Sequence, residues 1–262
     1  MVTEPTAYYE PLGDGTYRPT ILVQGAWRED EQHMSVVAGL ITEVFAQHKP
    51  RDGMVLSRIA FEIFGQIPLS DTHVAVETIR PGRTIELLEA TVTIGERVII
   101  RARAWRLQSQ DTTDVAGLEL PSMPAPDTCE PVDAAAEWQG RFLETLDYRA
   151  APGGRDGRRQ VWARTDVALI AGTTVSPVAA YITLVDLANG IATRVRPTEL
   201  LYPNVDLTIH LLRAPDPSWV GLDTSVTFGD NGIGLTSTVL NDIHGPVGRA
   251  EQCLTVRHFP PA

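Results

Sequence analysis

The 262-residue sequence predicts an α+β protein made of two similar units, each with one buried helix and a curved antiparallel sheet. Two observations predict this fold class. A helix that is apolar around most of its circumference is followed directly by a long run of strands and turns, and such a helix must be covered on most sides. The same order of short strands, helix and four longer strands occurs twice along the chain. We therefore expect an internal duplication.

The second of the two helices shows this pattern more clearly. Ser176 is predicted to be its N-cap, with Pro177 in the first helical position. The helix is expected to run without interruption until it ends before Pro197, and Arg194 and Arg196 near that end suit the helix dipole. Its apolar residues face nearly every direction, which predicts a helix enclosed by the sheet.

The remaining elements follow from periodicity and from turn residues. Acidic residues precede the first helix, whose apolar face begins at Val36 and which Pro50 and Gly53 terminate. Strand-like runs follow each helix, and the short turns between them imply antiparallel neighbours. These runs are residues 55–64, 73–79, 84–94 and 97–107 in the first half, and 205–212, 219–228, 233–240 and 247–257 in the second.

A proline-rich stretch separates the two halves. Residues 108–137 are rich in Ser, Thr, Asp and Pro, so we expect a linker that is too proline-rich to pack as an element. The expected units are an N-terminal unit of residues 1–107 and a C-terminal unit of residues 138–262. A long buried helix wrapped by a curved antiparallel sheet is the hotdog architecture, and two such units in one chain form a tandem, or double, hotdog.

Composition limits the functions that this chain can have. The formal net charge of −11, without any basic run, argues against nucleic-acid binding. No apolar run reaches the roughly 18 residues that a membrane span needs, and the N-terminus has no signal-peptide pattern. Cys129 and Cys253 are far apart and match no metal-binding spacing, so we expect a cytoplasmic protein with free thiols and no metal site.

Three short segments resemble the sequences of one family. They are ETIRPGRT (residues 77–84), NVDLTIHLLRAP (204–215) and VGRAEQCLTVR (247–257). On these segments the chain resembles the acyl-CoA thioesterase II family and its thioesterase-like relatives of double-hotdog form, over nearly its whole length. The resemblance implies a hydrolase of lipid metabolism that cleaves fatty acyl-CoA thioesters, with acyl-CoA as its substrate and no separate cofactor.

The resemblance also implies a catalytic site in the second unit. The family's site combines an aspartate, a threonine or serine, and a glutamine, which fall on Asp206, Thr227 and Gln252. We expect these side chains to gather around one water, with Asp206 as general base and the other two holding the water or the developing oxyanion. Where the family tends to have a Gly-Gly pair, at the start of the first helix, Met34 and Ser35 are larger.

Strand periodicity places a condition on this site. Asp206 shares a strand face with other polar residues, whereas Gln252 has the parity of the apolar Leu254 and Val256. Strict alternation therefore puts Asp206 and Gln252 on opposite faces of their strands. They can meet only where a β-bulge or a bend changes one register.

Other residues are candidates for roles in the same chemistry. Asp186, in the middle of the second helix, is the second choice for the catalytic carboxylate, because other hotdog thioesterases use a helix carboxylate as base or nucleophile. Arginines beside turns suit the phosphates of CoA, and two histidines suit contact with the substrate. These substrate-binding candidates are His33, Arg80, Arg83, His210 and Arg213.

Two other classes of function stay open. A hotdog hydratase or dehydratase would use a histidine and an aspartate to add or remove water at a double bond, and His33 is the only histidine near a helix start. A catalytically silent acyl-binding or acyl-CoA-binding module is the other alternative. Exposed sheet edges make a homodimer possible. Acyl chain length depends on the shape of a cavity that no local motif encodes.

Overall fold

The computed structural model describes residues 4–133 and 138–259. Within that part of the chain, three α-helices and fourteen strands form, and the helices are α1 (Met34–Gln47), α2 (Pro177–Ile182) and α3 (Ala188–Ile191). The strands in chain order are β1 (Ala7–Gly13), β2 (Thr16–Pro19), β3 (Met54–Ile63), β4 (Thr72–Arg80), β5 (Ile85–Ile94), β6 (Arg97–Gln108), β7 (Glu130–Val132), β8 (Leu146–Ala150), β9 (Arg158–Thr165), β10 (Ala168–Ile170), β11 (Asp206–Leu211), β12 (Val220–Phe228), β13 (Ile233–Asp242) and β14 (Gly245–Thr255).

All fourteen strands belong to one sheet, in the order β10-β1-β2-β4-β5-β6-β3-β11-β14-β13-β12-β9-β8-β7. The two halves of the chain meet at its middle, where β3 and β11 pair antiparallel with Ile59 opposite Ile209. A second connection forms at one edge, where β1 pairs with β10 in parallel. Each half repeats the predicted order of short strands, helical segment and four longer strands, which confirms the double-hotdog fold.

One hydrophobic core extends through both halves, because the helices of the two units pack against each other. Gly39 of α1 lies directly against Thr183, and a Cβ added at Gly39 would collide with Thr183 Oγ1. Next to this contact, the buried Glu43 accepts hydrogen bonds from the backbone nitrogen of Ser176 (2.8 Å) and from its hydroxyl (2.7 Å). A carboxylate of the first unit thus caps the first helix of the second unit, where negative charge is favourable.

The prediction of one uninterrupted second helix is wrong. Ser176 is the N-cap as predicted, but α2 ends at Ile182, and a 3₁₀ turn (Val185–Leu187) separates it from the short α3. The Thr183 hydroxyl donates to the carbonyl of Ala179 at 2.8 Å, a local bond that bends helices. Leu184 then leaves helical geometry, with φ −114° and ψ −1°. The break places Asp186 in the 3₁₀ turn.

The expectation that the linker forms no element is also wrong in part. Its last described residues form β7, an edge strand that pairs with β8, and Pro131 is tolerated there because an edge strand has one side without partners. Earlier in the segment, the Trp162 indole donates to the carbonyl of Pro124 at 2.9 Å. The linker thereby packs against the C-terminal unit. Its residues 134–137 lie outside the described residues.

No helix in residues 4–133 or 138–259 combines the length and the apolar character that crossing a bilayer requires.

Candidate active site

The break in the second helix turns Asp186 towards two carboxamides. Asp186 Oδ1 accepts a hydrogen bond from Asn204 Nδ2 at 2.8 Å and another from Gln252 Nε2, also at 2.8 Å. Asn204 lies just before β11, bridged to Leu254, and Gln252 lies on the inward face of β14, so adjacent strands present the two amides together. A buried carboxylate held by two neutral donors is therefore the centre of the site.

Burial sets the proton affinity of this carboxylate. Asp186 is 5% exposed, and burial raises its pKa to about 7, while the hydrogen bonds from Asn204 and Gln252 act in the opposite direction. No cation of the described residues lies within ion-pair distance of Asp186, apart from the ring of His33 should that be protonated. An aspartate with a pKa near neutrality can accept a proton during a reaction and return it afterwards.

His33 approaches the second oxygen of the carboxylate. Its Nδ1 lies 4.0 Å from Asp186 Oδ2, and the same nitrogen accepts a hydrogen bond from the backbone nitrogen of Ser35 at 3.2 Å. His33 is the N-cap of α1, so this bond is a helix cap. Burial lowers the pKa of His33 to about 4, which keeps the imidazole neutral at physiological pH. With Nδ1 acting as acceptor, the ring proton is on Nε2.

A cavity of about 610 Å³ adjoins these groups and takes its lining from both units. His33 and Met34 line it from the start of α1, and Asp186 and Asn204 line it from the second unit. Apolar side chains form most of the remaining wall, namely Trp27, Trp138, Leu143, Tyr148, Val161, Leu187 and Ile191. This is the composition expected of a small-molecule site: an apolar wall with a few convergent polar groups.

Aromatic rings stiffen one side of this wall. The rings of Trp27 and Trp138 meet edge to face, with centroids 4.8 Å apart, and both pack on Tyr202. The Trp138 indole donates to the carbonyl of Gly190 at 3.0 Å, which ties this wall to α3, the helix that directly follows the 3₁₀ turn of Asp186.

The structure does not bring the three first-choice catalytic residues together. Asp206 Oδ1 accepts from the backbone nitrogen of Cys253 at 2.6 Å, on the face of the sheet opposite Gln252. Thr227 is exposed on β12, opposite Leu235. The pairing of β11 with β14 contains no bulge, so alternation holds and the expected gathering is wrong. Gln252 reaches Asp186, the second choice, instead.

Asn204 is the site residue that sequence reasoning missed. It belongs to the segment NVDLTIHLLRAP that carries the resemblance, two residues before Asp206. No signal in the sequence pointed to it, because it lies before β11, where strand periodicity gives no information.

Among the substrate-binding candidates, only His33 lines the cavity. Arg80 donates to the carbonyl of Ile85 and lies over the ring of Trp105, and Arg83 is exposed in the following turn. His210 is exposed on β11, and Arg213 makes a two-pronged ion pair with the buried Asp242, with both distances 2.6 Å. These four residues therefore do not form a substrate site with Asp186.

Three other arginines line the cavity instead, and none of them was a substrate-binding candidate from the sequence. They are Arg28, Arg159 and Arg257. Arg28 is partly neutralised by an ion pair with Asp30 at 2.8 Å. The carboxylates of Glu31 and Asp133 line the same cavity, so groups of both charges share its wall.

Fold and site together define a double-hotdog protein with a buried carboxylate at the junction of its two units. Comparison with family models gives a match to the acyl-CoA thioesterase N-terminal domain over residues 23–107 and to the acyl-CoA thioesterase C-terminal domain over residues 126–256. The chain therefore belongs to the acyl-CoA thioesterase family. No curated protein matches it.

Solved structures show the same fold at low sequence identity. A hot dog fold protein from Alicyclobacillus acidocaldarius has a TM-score of 0.74 and 14% identity, with 96% of each chain covered. An acyl-CoA thioesterase II from Mycobacterium marinum, TesB2, has a TM-score of 0.67 and 17% identity, with 97% of each chain covered. A tesB protein from Mycobacterium avium subs paratuberculosis has a TM-score of 0.63 and 15% identity, with 98% of this chain and 97% of that one covered.

Proposed function

We propose that this protein hydrolyses acyl-CoA thioesters to the free acid and CoA, with Asp186 as the base that activates water. One observation carries this proposal: Asp186 is buried beside the cavity, with Oδ1 held by Asn204 and Gln252. Oδ2 receives no hydrogen bond from the described residues, and a water bound there would be polarised for attack.

The arrangement supports a direct hydrolysis. A thioester carbonyl is electrophilic, so water attacks it when Asp186 Oδ2 accepts the water proton. The tetrahedral intermediate then collapses, the carbon–sulfur bond breaks, and the CoA thiolate takes the proton back from Asp186. Asn204 and Gln252 hold the carboxylate in one orientation and favour its charged form against the effect of burial.

The cavity suits both parts of an acyl-CoA. Its aromatic and aliphatic wall, which includes Trp27, Trp138 and Ile191, can bury an acyl group. The guanidinium groups of Arg28, Arg159 and Arg257 can bind phosphates of CoA. These residues replace the arginines that were expected to do so from the sequence.

The hydratase or dehydratase alternative has less support. That chemistry would need His33 to remove a proton from carbon through an unprotonated nitrogen that faces the substrate. Its Nδ1 lone pair already accepts from the backbone nitrogen of Ser35, which leaves a ring N–H rather than a base for the substrate.

The test is release of free thiol from a panel of acyl-CoAs by the wild type, Asp186→Asn and Asp206→Asn. Asp186→Asn is expected to lower kcat by about a hundredfold or more, as for loss of a general base. Asp206→Asn is the matched control, because it changes an aspartate on the opposite sheet face and keeps the oxygen that accepts from Cys253.

Equal losses in both variants would contradict the assignment of the base. No thiol release from any acyl-CoA by the wild type would instead favour the silent binding module.

A further inference from the structure

His33 is the N-cap of α1 and directly precedes Met34 and Ser35, where the resembling family tends to have a Gly-Gly pair. Its imidazole, with Met34, lines the cavity at the start of α1, so a side chain fills space through which backbone could otherwise approach a substrate. If a side chain keeps the backbone N–H groups of α1 away from the substrate, another group must donate the hydrogen bond that polarises the substrate carbonyl oxygen.

The cap bond determines what His33 can offer. The backbone N–H of Ser35 donates to Nδ1 at 3.2 Å, so this nitrogen carries no proton and Nε2 does. The ring is held in place by Phe142, whose centroid lies 4.7 Å away. No described residue accepts a hydrogen bond from the His33 side chain. His33 therefore has a neutral ring N–H, and the residue lines the cavity.

Asp186 lies beside the ring that carries this donor. Its Oδ2, the oxygen that would hold the attacking water, lies 4.0 Å from His33 Nδ1, the capped nitrogen of that ring. A thioester carbon within reach of that water therefore lies close to the imidazole. The cavity is shared by both groups, and the two come from different units of the chain.

We propose that His33 is a catalytic residue whose Nε2–H donates a hydrogen bond to the thioester carbonyl oxygen and to the oxyanion that replaces it. The inference rests on the proposed function. As the water oxygen bonds to the carbonyl carbon, the π electrons move to the carbonyl oxygen and the water proton moves to Asp186. His33 keeps its proton throughout, and the proton on Asp186 leaves with the thiolate when the carbon–sulfur bond breaks.

The first arm of the test is kinetic. His33→Phe keeps a ring beside Phe142 but has no donor, and it is expected to lower kcat by about 10² to 10³, the usual effect of losing one oxyanion donor. KM is expected to change only a few-fold. His33→Gln keeps an N–H donor and is expected to recover at least tenfold of this loss. His73→Phe, at an exposed histidine of β4, is the control and should behave as the wild type.

The second arm measures the hydrogen bond itself. The probe is an acyl-CoA ketone in which CH₂ replaces the thioester sulfur and the carbonyl carries ¹³C, followed by infrared spectroscopy. In the wild type, in His33→Gln and in Asp186→Asn, the carbonyl stretch is expected at lower wavenumber than in buffer. In His33→Phe it should return towards its value in buffer.

An unchanged stretch in His33→Phe would overturn the role of His33, and the backbone of α1 would then be the donor. That result leaves the proposed function intact if Asp186→Asn still lowers kcat by about a hundredfold or more. Failure of the wild type to bind the ketone or to hydrolyse any acyl-CoA would overturn both proposals. Should His33→Phe not fold, the stretch in His33→Gln decides, since a value equal to that in buffer would also overturn the role.

Discussion

The Asp186→Asn variant is expected to be more stable than the wild type above pH 7, although it loses the proposed base. Burial raises the pKa of Asp186 to about 7, against about 3.9 for an aspartate in an unfolded chain. The folded protein therefore holds this proton more tightly than the unfolded chain does. As a consequence, the free energy of unfolding falls as the pH rises from about 4 to about 7. Asparagine accepts the same bonds from Asn204 and Gln252 and carries no charge.

The magnitude follows from the pKa of Asp186. Between pH 5 and pH 7 the unfolded chain has lost this proton and the folded protein largely keeps it. Each pH unit over that interval changes the free energy of unfolding by about 1.36 kcal/mol, which gives at most about 3 kcal/mol in total. For a protein of this size, that corresponds to roughly 5 to 10 °C in Tm.

The assay is thermal and urea unfolding of the wild type, Asp186→Asn and Asp206→Asn at pH 5 and pH 8. The stability difference between Asp186→Asn and the wild type is expected to widen by up to about 3 kcal/mol between these pH values. Asp206→Asn controls for the loss of one acidic residue, and its difference should stay constant. If the difference in free energy of unfolding between Asp186→Asn and the wild type does not grow with pH, then burying the charge of Asp186 does not destabilise the folded protein.

Three further predictions follow from the same structure. The kcat/KM of the wild type should rise with pH to a plateau, with an apparent pKa near 7, because only ionised Asp186 can accept the water proton; a profile flat from pH 5 to pH 9 would contradict this. Gly39→Ala should lower the free energy of unfolding by about 1 to 3 kcal/mol, because the added Cβ collides with Thr183. Adding Thr183→Ala to this variant should restore part of the loss, and a double-mutant cycle measures that coupling. Glu43→Ala should cost about 1 to 3 kcal/mol in urea unfolding because Ser176 loses a buried acceptor, whereas Glu43→Gln, which keeps an oxygen there, should cost less.

The fold was predictable because its signals are local and repeated. A helix apolar on most sides and two runs of strands with short turns indicate a hotdog unit, and their repetition indicates two. The break in the second helix was not predictable, because the Thr183 bond to the carbonyl of Ala179 has the same form as the Thr42 bond to Ala38 inside the unbroken α1. The strand β7 was not predictable either, because β8 offers it an edge that the linker sequence does not reveal.

The candidate site was predictable in part. Gln252 was identified correctly as a buried glutamine that needs a partner, and Asp186 was named as an alternative carboxylate. Asp206 was preferred over Asp186 on resemblance, although alternation along the strands argued against it, and the structure agrees with the alternation. Asn204 was missed because it lies before β11 rather than within a strand, where periodicity gives no information.

The antiparallel pairing of β3 with β11 limits how this chain can be divided into fragments or recombined with relatives. Each half, expressed as a fragment, would expose a central strand with a full row of unpaired backbone groups, a surface prone to aggregation. Each unit therefore provides cover for the central strand of the other. A chimaera with a relative, joined within the linker, would fold only where the incoming half carries a strand that pairs with β3 or β11 in the same register.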